Sequence, residues 1–437
     1  MKQQSNNIDE STVLTNAAIF DSSGKLGIKD GVNQFFKTEA SFIFLLLYIF
    51  IEYVSPQHVY PQINFLPWAQ LFFLGAFGFF VLEKKKFQLH GPFPFVVISF
   101  CIWCFLSSIF SAFPSRSFEY YKIIINWTLL YILFASIVTT KEKFLLFFCA
   151  YLLFNFKMSQ HASISWAQRG FSFERWGIAG TPGWFGNAAD LGLEMIIFLP
   201  LGFAFFLAFR QKLPKFLKII TFLFPVTALM ALIATGQRGP LLGLGVAMFY
   251  LWYKSKSKVK SGLAIALAAI VFINVMPAAF LARFDNIGSD ETSNSRLKYW
   301  KRGVEMFADN PVLGIGYENW IPYYQREYPG ESLRGPIQEV AHSTPVTVLA
   351  ELGSVGFFLY YLMAYLIIST ANKIRKKAPG TANATIALAL SFGTIGYMIS
   401  SAFITVAYYP FLWVQVCMVS ALANISGVYE KPKRKRV

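Results

Sequence analysis

Charge is what this 437-residue sequence has least of: only 14% of its residues are Asp, Glu, Lys or Arg, against roughly a quarter in ordinary soluble domains. A soluble fold of this size cannot bury the apolar surface that remains, so that class is excluded. Cysteine occurs four times, which excludes a disulfide-rich secreted framework, and the same composition excludes disorder and collagen-like repeats. Acidic residues are scarcer than basic ones, 23 against 39. What is there instead is apolar: 55% hydrophobic, 18% aromatic with 47 Phe, and a mean hydropathy of +0.47. Such a chain presents lipid-facing surface, and the first expectation is a multi-spanning integral membrane protein.

Long apolar runs that avoid charge fall near 39–54, 65–82, 92–112, 123–139, 143–156, 188–209, 216–235, 239–253, 262–281, 345–370, 384–404 and 408–426. The expected fold class is therefore an all-α polytopic membrane protein of about 12 transmembrane helices, with a long periplasmic loop between spans 9 and 10. Continuous apolarity without period-2 alternation disfavours a strand barrel. The short loops rich in Lys and Arg all fall on one side if both termini are cytoplasmic. The net charge of +16 is thus read as topology, and no nucleic-acid partner is expected. The expected organisation is a polar, flexible cytoplasmic extension over 1–38, spans 1–9 over 39–281, a periplasmic loop over 282–344, spans 10–12 over 345–426 and a basic tail over 427–437. No signal peptide is expected ahead of the first span. The tail reads as a topology determinant or an anionic-lipid contact. Cys101 and Cys104 form a C-x-x-C inside an apolar run, where packing is the expected role.

Two outer segments carry the polar chemistry, 157–187 and 282–344. In the second, Ser295 to Ala308 has a helical rhythm, with Leu297, Trp300, Val304 and Phe307 on one face, stopped by Asn310-Pro311. This predicts an amphipathic helix across the outer mouth of the bundle, either catalytic or simply lipid-facing. Arg238 stands in T-G-Q-R-G-P between two apolar runs, where an arginine costs about 2.5–3.5 kcal/mol at worst unless it finds an anion or snorkels. Of the four histidines, His90 is read as cytoplasmic and His58 and His161 as loop residues. His342 stands at the mouth before the tenth run, a position suited to a proton acceptor or to a structural hydrogen bond. Tyr317, Trp320, Tyr323, Tyr324 and Tyr328 form a stretch suited to stacking on sugars or to an interfacial aromatic belt. Asp285, Asp290, Glu291, Glu305, Asp309, Glu318 and Glu339 share the loop, so an outer cation stays open although no metal or cofactor is expected.

Taken in order, T-G-Q-R-G around Arg238, S-R-L-K-Y-W-K-R-G-V-E-M-F from Ser295, N-P-V-L-G-I-G-Y from Asn310, His342-Ser343, and E-L-G-S-V-G from Glu351 resemble the O-antigen ligase and O-antigen polymerase superfamily. So does R-W-G-I-A-G-T-P-G-W-F-G-N from Arg175 to Asn187, although Gly186-Asn187-Ala188-Ala189 replaces the usual Asn-Pro-Asn. The resemblance implies a GT-C-type glycosyltransferase of the bacterial inner membrane, working on its periplasmic side on glycans linked to undecaprenyl pyrophosphate. It implies catalytic roles for Arg238, Arg296 and His342. Arg175, Arg302, Tyr317 and Trp320 are the expected substrate-binding residues. The partners expected are the lipid-linked donor, a glycolipid, protein or glycan acceptor, and membrane lipids.

Three functions fit these residues. A ligase transfers a finished glycan to an acceptor such as lipid A-core. A polymerase uses a second lipid-linked repeat, and Arg169 to Gly180 and Arg175 to Gly186 both fit an Arg-x10-Gly spacing found in some polymerases. A transporter or flippase is the non-enzymatic alternative. It would ordinarily show paired repeats and mid-membrane ionisable residues, whereas Glu52, Asp190, Glu194 and Glu351 are expected near span ends.

Overall fold

The computed structural model describes residues 13–16, 28–173, 177–275, 291–331 and 340–429. Among these residues the protein is all-helical, without a strand. Among the described residues each of the twelve apolar runs is helical, the ninth as far as Val275. Six helices are long and apolar enough to cross a membrane: Ala40–Val59, Pro114–Ile137, Ala188–Phe209, Lys215–Ala234, Thr344–Lys377 and Ala382–Ser401. Trp68–Leu82, Phe93–Ile109 and Pro410–Ile425 are shorter apolar helices. Lys141–Gln168, Arg238–Lys254 and Lys258–Val275 complete the set.

The centre of the bundle is the Ala188–Phe209 helix, packed between Lys215–Ala234 and Ala382–Ser401. In lipid, helices gain little from hydrophobic association and approach through small residues. Gly243 does this on the Arg238–Lys254 helix, where a Cβ would stand 2.5 Å from the Gly396 carbonyl oxygen. Glu194 sits two turns inside the central helix, fully buried, and accepts a hydrogen bond from Tyr151 Oη at 2.6 Å. Cys101 and Cys104 are free thiols, and Cys101 meets Tyr121 Oη at 3.2 Å.

The loops sort into two sets that meet at opposite ends of the helices. At one end Glu39 pairs with Lys143 at 2.8 Å and Glu83 with Lys85 at 3.0 Å, joining three segments read as lying on one side. Glu83 also accepts hydrogen bonds from the Ser41 N–H at 3.0 Å and hydroxyl at 2.6 Å, which closes the first turn of the Ala40–Val54 helix from another chain segment. The N-terminal extension is not simply flexible: Leu14 is fully buried, its N–H reaches Asn383 Oδ1 at 3.0 Å, and Ile28–Phe36 is a helix. An apolar side chain with an enclosing site to enter holds this piece down. At the other terminus the packed chain continues to Tyr429, whose hydroxyl meets Thr370 Oγ1 at 2.9 Å.

The segment expected to begin an outer loop at residue 157 is helical to Gln168. His161 is therefore a helix residue rather than a loop residue. Met158, Ser159, Ala162, Ser163 and Trp166 keep that helix buried on one side, and Ser159 and Ser163 bond to Thr227 of the neighbouring helix. Further on, Glu291–Asp309 is the expected amphipathic helix, ending at Asn310. It packs through Tyr299, Gly303 and Met306, because Gly303 admits Trp320 and Val346, while Leu297 and Val304 stay more than half exposed. Tyr299, Met306, Ile315, Trp320, Tyr324, Ala341 and Ala350 form a small second core under this loop.

Candidate active site

The site is built on a break in a helix. Thr344–Lys377 starts with Pro345 in its first turn, then departs from helical geometry at Gly353, where φ is 63° and ψ is −168°. Backbone groups freed at such a break must find partners when buried. The N-P-V-L-G-I-G segment supplies them. Ile315 and Gly316 N–H donate to the Ala350 and Glu351 carbonyls at 2.9 and 3.0 Å, and Ser354 N–H donates to Pro311 at 2.9 Å. Trp103 Nε1 donates to the Leu352 carbonyl at 2.9 Å. The approach is so close that a Cβ on Gly353 would lie 2.1 Å from the Val312 oxygen, and one on Gly314 2.3 Å from the Glu351 carbonyl carbon.

Two carboxylates follow from this geometry. Glu351, buried two residues before the break, accepts from Trp320 N–H at 2.9 Å and from Tyr408 Oη at 2.7 Å. Glu318 has a left-handed φ of 58°, uncommon outside glycine. Its backbone carbonyl takes a hydrogen bond from Arg116 Nε at 2.9 Å. Burial pushes the Glu318 carboxyl up to about 7, against the pull of the Arg116 charge. Both acids line a small, partly open cavity of about 60 Å³, together with Trp320, Thr347, Thr405, Tyr408 and Tyr409 among others.

The segments that carry Arg238, Arg296 and His342 reach one corner, residues 400–406, through neighbouring residues. Arg238 is the half-buried first residue of its helix. A Cβ on the adjoining Gly239 would lie 3.3 Å from Phe403. The Phe403 ring lies 6.2 Å from that of Trp300, which is one turn along the helix from Arg296, and Trp300 Nε1 donates to the Ala341 carbonyl at 3.1 Å. His342 follows directly, with a left-handed φ of 48° and its ring 6.5 Å from that of Tyr299. Thr344 closes the circuit by donating to the Ile404 carbonyl at 2.7 Å and accepting from Val406 N–H at 3.0 Å.

The other expected residues take different positions. Arg175 lies outside the described residues. Its neighbours rest on the Arg238 turn, where Ile178 N–H donates to the Ala234 carbonyl at 3.0 Å, and Trp184 meets Tyr409 of the cavity edge-on at 5.0 Å. Asn187, whose role the departure from Asn-Pro-Asn left open, caps the central helix by accepting from Ala189 N–H at 2.9 Å. Arg302 is engaged within the loop: Nη1 pairs with Glu305 at 2.6 Å, Nε and Nη2 form a fork on Glu331, and the guanidinium lies 4.4 Å over Tyr328. That fork holds the Glu331 carboxyl below its usual range. Tyr317 is fully enclosed, its ring 4.6 Å from that of Tyr408. Trp320 lines the cavity. Asp285, Asp290 and Glu339 also lie outside the described residues, and among those described no group of three or more His, Cys, Asp or Glu is placed to hold a metal ion. Glu318 and Glu351 were visible in the sequence only as a loop acid and a span-end acid. The signal was their place beside G-I-G-Y and L-G-S-V-G.

Residues 222–361 match the family described as O-Antigen ligase. The match supports the O-antigen ligase and polymerase superfamily for this stretch of the chain. The O-antigen ligase domain holds Arg238, Arg296, Arg302, Tyr317, Trp320, His342 and the Gly353 break. It supports glycan transfer of the ligase or polymerase type in a membrane protein, with lipid-linked glycan and acceptor as partners in general terms. Residues 34–161, ahead of the O-antigen ligase domain, match a family of unknown function (DUF5935). No curated protein matches the chain.

Proposed function

We propose that the protein is an inner-membrane glycosyltransferase that moves a glycan from undecaprenyl pyrophosphate to an acceptor hydroxyl on the periplasmic side. The twelve helices act as spans, both termini are cytoplasmic, and the 282–344 loop covers the outer mouth. What carries this reading is the convergence of the Arg238 turn, the Arg296 helix and His342 on the corner around Phe403. Arg238 sits at the positive end of its own helix, and guanidinium and helix terminus together favour a pyrophosphate. Arg296 adds charge as the anomeric carbon–oxygen bond breaks and negative charge grows on the leaving phosphate.

His342 takes the proton of the acceptor hydroxyl as its oxygen bonds to the anomeric carbon. The lipid pyrophosphate leaves from the opposite face, so configuration inverts, and the imidazolium passes its proton to water. Trp320 binds substrate at the cavity, whereas Arg302 and Tyr317 act by holding the loop. The arginines supply the positive charge at the phosphate, and activity is expected to survive EDTA.

The test is transfer by reconstituted protein supplied with lipid-linked glycan. Arg238→Ala should lose about 10²–10³-fold in rate, and Arg238→Lys should recover part of it, since a point charge replaces a planar fork. Normal transfer by Arg238→Ala would refute the assignment. A second lipid-linked repeat serving as the acceptor would make the enzyme a polymerase. Movement of intact donor across the bilayer would make it a transporter.

A further inference from the structure

The cavity under the loop has its own chemistry, distinct from that of the arginine corner. Trp320 is 3% exposed, lines the cavity, and its indole Nε1 has no hydrogen-bond partner among the described residues. The Glu318 carboxylate lines the same cavity. The Arg116 charge acts on it, but among the described residues no side chain or N–H donates to it. Around the buried indole N–H and the half-buried carboxylate stand the Thr347 and Thr405 side chains and the rings of Tyr408 and Tyr409. Glu351, the other acid, already has its oxygens engaged by Trp320 N–H and Tyr408 Oη.

A buried donor without a partner is costly, and a carboxylate in the same cavity favours a ligand that meets both. Among the described residues the lining has no cationic side chain, which favours a neutral ligand over a phosphate. A ligand that accepts from an indole N–H, donates to a carboxylate and lies against aromatic rings is a hydroxylated ring. The volume of about 60 Å³ is well above the roughly 10–15 Å³ a single water needs, and its partly open mouth lets one edge of a monosaccharide enter. Glu318 is held there in a left-handed conformation, the kind of strain that gathers at ligand sites.

We propose that this cavity is a sugar subsite, in which the Glu318 carboxylate accepts a hydrogen bond from a ring hydroxyl and Trp320 Nε1 donates to a ring oxygen. The proposal rests on the glycan-transfer reading and adds to it a residue outside the arginine–histidine set. The sugar comes from the donor glycan or from the acceptor, and steady-state kinetics separate the two. A Glu318 variant that raises KM for lipid-linked glycan marks the donor; one that raises KM for acceptor marks the acceptor.

Binding is tested directly with the full chain in nanodiscs, because glycosidic detergents would occupy the site. Methyl glycosides of glucose, galactose, N-acetylglucosamine and rhamnose serve as probes, followed by saturation-transfer NMR. At least one should bind the wild type at millimolar concentration. Glu318→Gln should weaken it about tenfold, the loss of one hydrogen bond to a charged group. Glu318→Gly, which suits the left-handed backbone and so keeps the fold, should abolish it. Inorganic pyrophosphate, as a control for the arginine corner, should bind both variants as it binds the wild type. The proposal falls if no glycoside binds, if both variants bind as the wild type does, or if Mg²⁺ alone occupies the site through Glu318. Loss of glycoside binding in the variants, with no transfer by the wild type, would leave the subsite standing and remove the transferase reading. Transfer that needs Arg238 but ignores Glu318 would do the reverse.

Discussion

Glu351 and Tyr408 meet at 2.7 Å, carboxylate to phenol, both largely buried. The second carboxylate oxygen takes the Trp320 N–H, so one side chain ties the start of the loop's Trp320–Glu327 helix to the corner before the last helix. Removing the carboxylate orphans both donors at about 1–3 kcal/mol each, whereas Tyr408→Phe removes a donor cleanly. Glu351→Ala should lower the melting temperature more than Tyr408→Phe. The double variant should be no worse than Glu351→Ala alone, because the hydroxyl it deletes has already lost its partner. Additive losses would show that the pair is not coupled.

Two glycines should respond oppositely to alanine. At Gly353 the left-handed φ and the Val312 oxygen leave no room, so Gly353→Ala should cost more than about 2 kcal/mol and also impair transfer. At Gly245, on the Arg238–Lys254 helix, a Cβ would meet nothing within 4 Å, and alanine should be neutral or stabilising by up to about 1 kcal/mol. Thermal unfolding of the two purified variants settles the order.

His342 combines a proposed proton-accepting role with a left-handed backbone. Both His342→Ala and His342→Gly should abolish transfer while leaving pyrophosphate binding intact. His342→Gly should be the more stable of the two by about 1 kcal/mol, since only alanine pays the steric cost of that conformation. Equal stability would mean the loop relaxes, and retained transfer would remove the base role.

The cluster at the other end should give acid sensitivity. Burial alone would raise the Glu83 carboxyl, but the Ser41 hydrogen bonds and the Lys85 charge outweigh it and hold the group below its usual value. Lys143 and Lys85 do the same for Glu39 against the same opposing effect of burial. A depressed carboxyl contributes stability that is present above its unfolded pKa and lost as pH falls through the folded value. The melting temperature should therefore drop on acidification below the ordinary carboxylate range, and Glu83→Gln should flatten that limb. Glu39 is 41% exposed, so its share is small.

The helices were legible because charge-free runs in a lipid-facing chain leave few alternatives. Their ends were less so. Lys157, Gln160 and His161 read as the end of a span, yet one buried side of small and apolar residues carries the helix on to Gln168. At the site, motif order pointed to Arg238, Arg296 and His342 but said nothing of how they meet. Arg302 looked available for substrate because its partner Glu331 lies in a different part of the loop. Gly353 read as one more small residue in an apolar run, since a backbone break leaves no mark in hydropathy. Glu318 was hidden for a related reason: its distinction is conformational, and composition does not carry it.

The break at Gly353 also bears on how the chain is assembled. Neither the N-P-V-L-G-I-G segment nor the helix beyond Thr344 satisfies its own backbone, and each supplies the bonds the other lacks. The loop emerges from the ribosome first and has no finished structure until the later apolar helix has been inserted, while that helix stays incomplete in the bilayer until the loop folds back onto it. Biogenesis thus has a built-in dependency, in which maturation of the loop waits on a segment not yet translated.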